Sequence, residues 1–153
     1  MGQVNALVPG PRVYLDTNIS IYALEGYPAF TPALTEIFSR IDVGDLIAIT
    51  SELTLAETLV KPLMDNNKPL YQAYISALQP RNGFSLATVS RDILIAAASL
   101  RASNTQIRLP DAIHAATAIE HECASFLTND NRLAALSETK GMRVVMLSSL
   151  SSS

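Results

Sequence analysis

Five short β-type runs separated by helical segments predict an α/β chain, with a parallel sheet covered by helices on both faces. Three observations carry this. The runs at 12–16, 46–50, 84–89, 125–129 and 143–147 are short and dominated by apolar and β-branched residues. The stretches between them repeat apolar residues at helical spacing instead of alternating. No repeat, linker or shift of composition divides the 153 residues, a length suited to one domain with a well-buried core.

Residues 1–11, with Gly2, Pro9, Gly10 and Pro11, read as a loose lead-in to a domain spanning 12–147. The first run leads through Val13-Tyr14-Leu15 into Asp16-Thr17-Asn18, and the pattern Ile19 to Leu24 predicts a helix behind it. A second helix is expected from Pro32 to Ile41. After the run at 46–50 come helical patterns from Leu53 to Met64 and from Leu70 to Leu78. On a helical wheel Glu57 falls at the border of a stripe made by Leu53, Ala56, Val60 and Met64, away from Thr54 and Thr58. The run at 84–89 precedes a helix from Ile93 to Ala102, and Pro110-Asp111 opens another from Ala112 to Cys123. The last two runs close the domain, and 148–153 read as a flexible Ser-rich tail.

Composition limits the function classes. Apolar residues make up 48% and charged residues 16%, as in a globular protein. With 11 basic and 14 acidic residues the net charge is −3, which excludes a strongly basic nucleic-acid binder. Any basic groove has to be assembled by the fold or by a dimer. No apolar run is long enough to span a bilayer and no signal-peptide pattern is found, so no membrane role is expected. The single cysteine, Cys123, fits a reducing cytoplasm and a small buried hydrophobe on a helix. No glycine-rich phosphate loop occurs, which argues against nucleoside triphosphate binding.

Four carboxylates stand out: Asp16, Glu57, Asp111 and Asp130. Each is set in apolar sequence, where an unpaired negative charge is costly, and no run of Lys or Arg stands beside them. Hard divalent cations with oxygen ligands would compensate such a cluster. Each acid also has a local explanation. Asp16 suits a helix N-cap, Glu57 a solvated helix flank, Asp111 the positive end of a helix dipole, and Asp130 a turn. What favours a shared site is position. Ligands of parallel α/β sheets gather beyond the carboxyl ends of the strands, and Asp16 and Asp130 each close a β-run there.

The segments Val13-Tyr14-Leu15-Asp16-Thr17-Asn18, Thr54-Leu55-Ala56-Glu57, Leu109-Pro110-Asp111-Ala112-Ile113-His114 and Phe126-Leu127-Thr128-Asn129-Asp130 occur in this order. The pattern resembles the PIN domain, most closely the VapC-type toxin ribonucleases of toxin–antitoxin pairs, and spans roughly residues 12 to 147. The resemblance implies a three-layer α/β/α sandwich with a five-stranded parallel sheet, commonly paired as a homodimer. It also implies Mg²⁺- or Mn²⁺-dependent endonucleolytic cleavage of RNA, and a small antitoxin protein as partner. Carried onto this chain, Asp16, Glu57, Asp111 and Asp130 match the family's acidic quartet, and Asn18 and Thr128 match the polar positions that orient it.

Such chemistry needs an activated water, a stabilised phosphorane charge and a supported leaving oxygen, all of which divalent ions supply. Asp16 and Asp111 are expected to be the main metal ligands, with Asp130 holding the metal directly or through water. Glu57 is expected to complete the metal-binding set and to orient or deprotonate the attacking water. Tyr22, Tyr27 and Phe30 are candidate stacking platforms for single-stranded RNA, with packing as the simpler reading. His114 and His121 are not expected to be catalytic, and Glu52 is explained by its place at a helix start. Two rivals stand beside the ribonuclease. One is a catalytically silent PIN-like module that binds RNA or protein. The other is a metal-dependent phosphatase of the haloacid-dehalogenase type, which wants an Asp where Asn18 stands.

Overall fold

A computed structural model describes residues 8–137 and 139–150. Five strands form one sheet: β1 (Arg12–Leu15), β2 (Ile47–Ser51), β3 (Phe84–Ala87), β4 (Ser125–Thr128) and β5 (Arg143–Met146). Their order is β3-β2-β1-β4-β5, and every pairing is parallel. The chain therefore builds outward from β1 to β3, then crosses back to lay β4 on the other side of β1. Strand order reverses between β1 and β4, which opens a crevice at their carboxyl ends.

Alternation along each strand divides the core in two. Val13 and Leu15 on β1, with Leu127 on β4, face one apolar cluster. That cluster is completed by helices α1 (Thr17–Glu25), α2 (Thr31–Asp42) and α4 (Lys68–Ala77), through Ile19, Leu34, Ile37 and Tyr74. Tyr14 and Phe126 face the other cluster, their rings stacked 5.1 Å apart. It is covered by α5 (Arg91–Ser103), α6 (Leu109–Glu120) and a 3-10 turn at Asn131–Leu136. Ala97, Ala112, Ala115 and Ala118 are buried there, and such small side chains let α5 and α6 pack closely on each other and α6 lie against β2. Among the described residues no helix is long and apolar enough to cross a membrane.

The structure differs from the sequence reading in four places. Strand β3 stops at Ala87 because its partner β2 ends opposite, at Ser51, where the chain turns into α3 (Leu53–Met64). In α3 the buried side is Thr54, Thr58 and Pro62, while Val60 and Met64 of the expected apolar stripe are 54% and 80% exposed. The threonines tolerate burial because their hydroxyls are satisfied. Thr54 bonds Thr50 (3.0 Å) and Thr17 (3.1 Å), and Thr58 donates to the Thr54 carbonyl (2.8 Å). The Ser-rich tail, expected to be loose from 148, begins as a short helix α7 (Leu147–Leu150) that buries both leucines against the first cluster. At the other end Val8 of the expected lead-in is buried in the same cluster. Residues 1–7 and 151–153 of those two segments lie outside the described residues.

Candidate active site

Asp16 follows β1 directly and is 5% exposed at the crevice. Its Oδ1 accepts from the Thr17 amide (2.9 Å) and caps α1. Its Oδ2 accepts from the Thr128 hydroxyl (2.6 Å) at the end of β4 and from Asn18 Nδ2 (3.3 Å). All three donors are neutral. Burial pushes the Asp16 carboxyl above its ordinary range, opposed by the ring of His114 and the Thr128 and Thr17 donors, with the charge of Asp111 adding to the rise.

The two polar residues expected to orient the site are knitted into it. Thr128 Oγ1 also accepts from Asn18 Nδ2 (3.3 Å) and from the Asp130 amide (3.1 Å). Asn18 Oδ1 accepts from the Asn129 amide (3.2 Å), which fixes the turn after β4 against the start of α1.

Asp111, 6% exposed in the first turn of α6, accepts from the Arg108 amide (2.9 Å). Asp130 caps the 3-10 turn through the Arg132 amide (3.0 Å), and the Arg132 guanidinium grips its two oxygens. The same guanidinium lies 3.5 Å from Asp111 Oδ2, and Arg108 Nε stands 3.6 Å from that oxygen. These bonds to Arg132 hold the Asp130 carboxyl below its usual range. The acids thus have cationic neighbours after all. Arg108 lies three residues before Asp111 and Arg132 two residues after Asp130, single side chains and not a run.

Glu57 comes from the middle of α3. Its Oε1 accepts from the Thr17 hydroxyl (2.6 Å) and lies 2.6 Å from His114 Nε2. Burial raises the Glu57 carboxyl, but the bonds from His114 and Thr17 outweigh it and leave the group below its ordinary value. His114 is buried on α6, and its Nδ1 meets the Tyr14 hydroxyl at 2.6 Å. Tyr14, buried against Phe126 and near the charge of Asp16, has its phenol pKa pushed well above normal. Sequence reasoning missed Thr17, Tyr14 and His114 as members of the site. The signal available was the i, i+3 spacing of Asp111 and His114, which sets both on one side of α6.

The other candidates fall elsewhere. Tyr22 packs edge-on against Tyr27 (4.6 Å) and tilted against Phe30 (4.9 Å), and Tyr22 and Phe30 pack against the first apolar cluster. Glu52 is exposed at the start of α3. Burial raises the Cys123 thiol to about 12, as suits an inert core residue.

Whether these residues fit a divalent ion is a matter of donor chemistry. Among the described residues no three His, Cys, Asp or Glu side chains form a ready-made metal cage. Mg²⁺ does not require one: it binds through one or two carboxylates and keeps several waters. Asp16, a buried carboxylate with only neutral donors and a neighbouring acid in Asp111, offers such hard oxygen ligation.

A doubly wound parallel sheet with acidic side chains gathered at its switch point defines the class: an α/β domain with its site at the carboxyl edge. The PIN domain family model matches residues 13–138, and the chain belongs to that family. No curated protein sequence matches the chain. Among solved structures it is similar to a toxin–antitoxin complex from Klebsiella pneumoniae. The identity is 25% and the TM-score 0.63, covering 88% of this chain and 97% of that one. It shares its fold with VapBC2 from Rickettsia felis bound to a promoter DNA fragment, at 18% identity and TM-score 0.66 over 87% and 96% of the two chains. It also shares it with the toxin–antitoxin protein VapBC-5 from Mycobacterium tuberculosis, at 22% identity and TM-score 0.60 over 90% and 99%. The five-stranded parallel sandwich expected from the sequence is therefore the PIN fold.

Proposed function

We propose that this chain is a Mg²⁺- or Mn²⁺-dependent endoribonuclease, the toxin of a toxin–antitoxin pair. The observation that carries the reading is the gathering of Asp16, Glu57, Asp111 and Asp130 around one crevice in a chain of the PIN family. Asp16 and Asp111 would be the principal metal ligands, with Asp130 and Glu57 completing the set. A bound divalent ion supplies Lewis acidity to the phosphodiester and lowers the pKa of the attacking water. Glu57, ionised at neutral pH, orients that water and accepts its proton. Thr128 and Asn18 hold Asp16, and Arg108 at the rim offers a cation to the RNA backbone.

The likeness to toxin–antitoxin complexes supports a small antitoxin protein as the physiological partner. We propose a homodimer as the working form. A catalytically silent module is the second reading, favoured by one observation: Arg132 already neutralises Asp130 and reaches Asp111. One experiment separates the two. Purified protein is offered a mixed RNA pool with Mg²⁺, Mn²⁺ or EDTA, beside an Asp16→Ala control. Cleavage that needs metal and vanishes in the variant supports the ribonuclease, and equal behaviour of both proteins supports the silent module.

A further inference from the structure

We propose that His114 is a positioning residue for Glu57, locked by Tyr14 as the Nε2–H tautomer so that it holds the carboxylate from one side. For its catalytic consequence this rests on the ribonuclease reading of the same site. The hydrogen-bond directions follow from donor counting. Glu57 Oε1, on an ionised carboxylate, only accepts, and it lies 2.6 Å from His114 Nε2. The hydrogen therefore sits on Nε2. In the neutral ring Nδ1 is then bare, and the Tyr14 hydroxyl at 2.6 Å donates to it.

The opposite tautomer fails at Glu57. It sets the bare Nε2 lone pair 2.6 Å from a carboxylate oxygen, and the Thr17 hydroxyl, which also lies 3.0 Å from Nε2, has one hydrogen and gives it to Oε1. His114 is buried, where an unmatched polar atom is costly. The relay thus runs one way, from Tyr14 on β1 through His114 on α6 to Glu57 on α3. Thr17 at the start of α1 donates into the same Oε1 at 2.6 Å. Two donors therefore converge on one oxygen, and among the described residues Oε2 has no hydrogen-bond donor. That leaves Oε2 for water. His114 itself is buried and acts through Glu57.

The test is a long-range ¹H–¹⁵N spectrum of the full chain, joined to Mn²⁺ titration and RNA cleavage by His114→Gln and His114→Asn. The chain has two histidines, so the signal lost in His114→Gln identifies the ring. The wild type is expected to show Nε2 protonated and Nδ1 bare, and Tyr14→Phe is expected to lose that fixed pattern. Gln places a donor near the position of Nε2–H and is expected to stay within a few-fold of wild type in Mn²⁺ affinity and cleavage. Asn is too short, and is expected to lose about 10–100-fold in both, the usual cost of removing a ligand's supporting partner. An Nδ1–H ring in the wild type overturns the proposal, as does equal loss of Mn²⁺ affinity in Gln and Asn. A protein that cuts no RNA yet shows the expected tautomer and the Gln–Asn split in Mn²⁺ affinity supports the positioning role while sinking the ribonuclease reading.

Discussion

Replacing Thr128 by Val keeps the shape of the side chain and removes one hydroxyl that serves three bonds. It donates to Asp16 Oδ2 at 2.6 Å and accepts from the Asp130 amide at 3.1 Å and from Asn18 at 3.3 Å. The residue is fully buried, so water does not replace it. The bond to a carboxylate is worth about 1.5–3 kcal/mol and each of the two neutral bonds about 1 kcal/mol, giving a loss of roughly 4 kcal/mol when Asp16 is ionised. The loss depends on pH with a definite sign. Asp16 has a folded pKa raised above its unfolded value near 3.8, so its protonated form favours the fold. The stability it contributes is complete below that value and is lost as pH rises through the folded pKa. Removing the Thr128 donor raises the folded pKa further and prolongs that decline. The deficit of the variant should therefore be roughly 3 kcal/mol near pH 4, where all three bonds count as neutral, and rise to roughly 4 kcal/mol toward pH 8. Urea denaturation of both proteins across this range, in EDTA, measures it. A deficit that stays flat or shrinks with rising pH refutes the reasoning.

Glu57→Gln should lower RNA cleavage by about 10²–10⁴-fold with little change in melting temperature, as for loss of a general base. A variant that cuts at the wild-type rate removes Glu57 from the chemistry. Arg132→Gln should erase an acid-sensitive part of stability. In the wild type the lowered Asp130 pKa contributes stability that is present above the unfolded value and lost as pH falls through the folded one. Stability curves of the two proteins that run parallel into the acid range contradict this. Ile37→Ala opens a cavity beneath α2 and should cost about 2–5 kcal/mol in urea unfolding. Leu147→Ala should cost a similar amount, and a loss near zero shows that α7 does not hold the first cluster together.

The alternation of strands and helices was readable because both faces of the sheet are buried, so each strand is a dense apolar run and each helix shows a stripe. Asp16 and Asp130 could be placed because a strand's carboxyl end is where an acid at a switch point has to be. Helix α3 misled the wheel because its buried side carries hydroxyls that find partners on other elements, and no local pattern records that. The cap reading and the site reading of the aspartates were treated as rivals, yet they coexist. Asp16 gives one oxygen to the Thr17 amide and the other to Thr128, and Asp111 and Asp130 cap their own helices while facing the arginines. What the sequence hid was the relay from Tyr14 to Glu57, whose members lie 100 and 57 positions apart along the chain.

Such separations bear on when the crevice comes into being. During synthesis β1, β2 and β3 emerge first and can pair, and they carry Asp16 and Glu57 on one half of a sheet with β1 as an open edge. Asp111 arrives with α6, and Asp16 meets its Thr128 donor, 112 residues downstream, only when β4 docks on that edge. A growing chain thus carries its acids unassembled until β4 and the turn behind it have left the ribosome. For the ribonuclease proposed above, late assembly is a form of delay written into strand order.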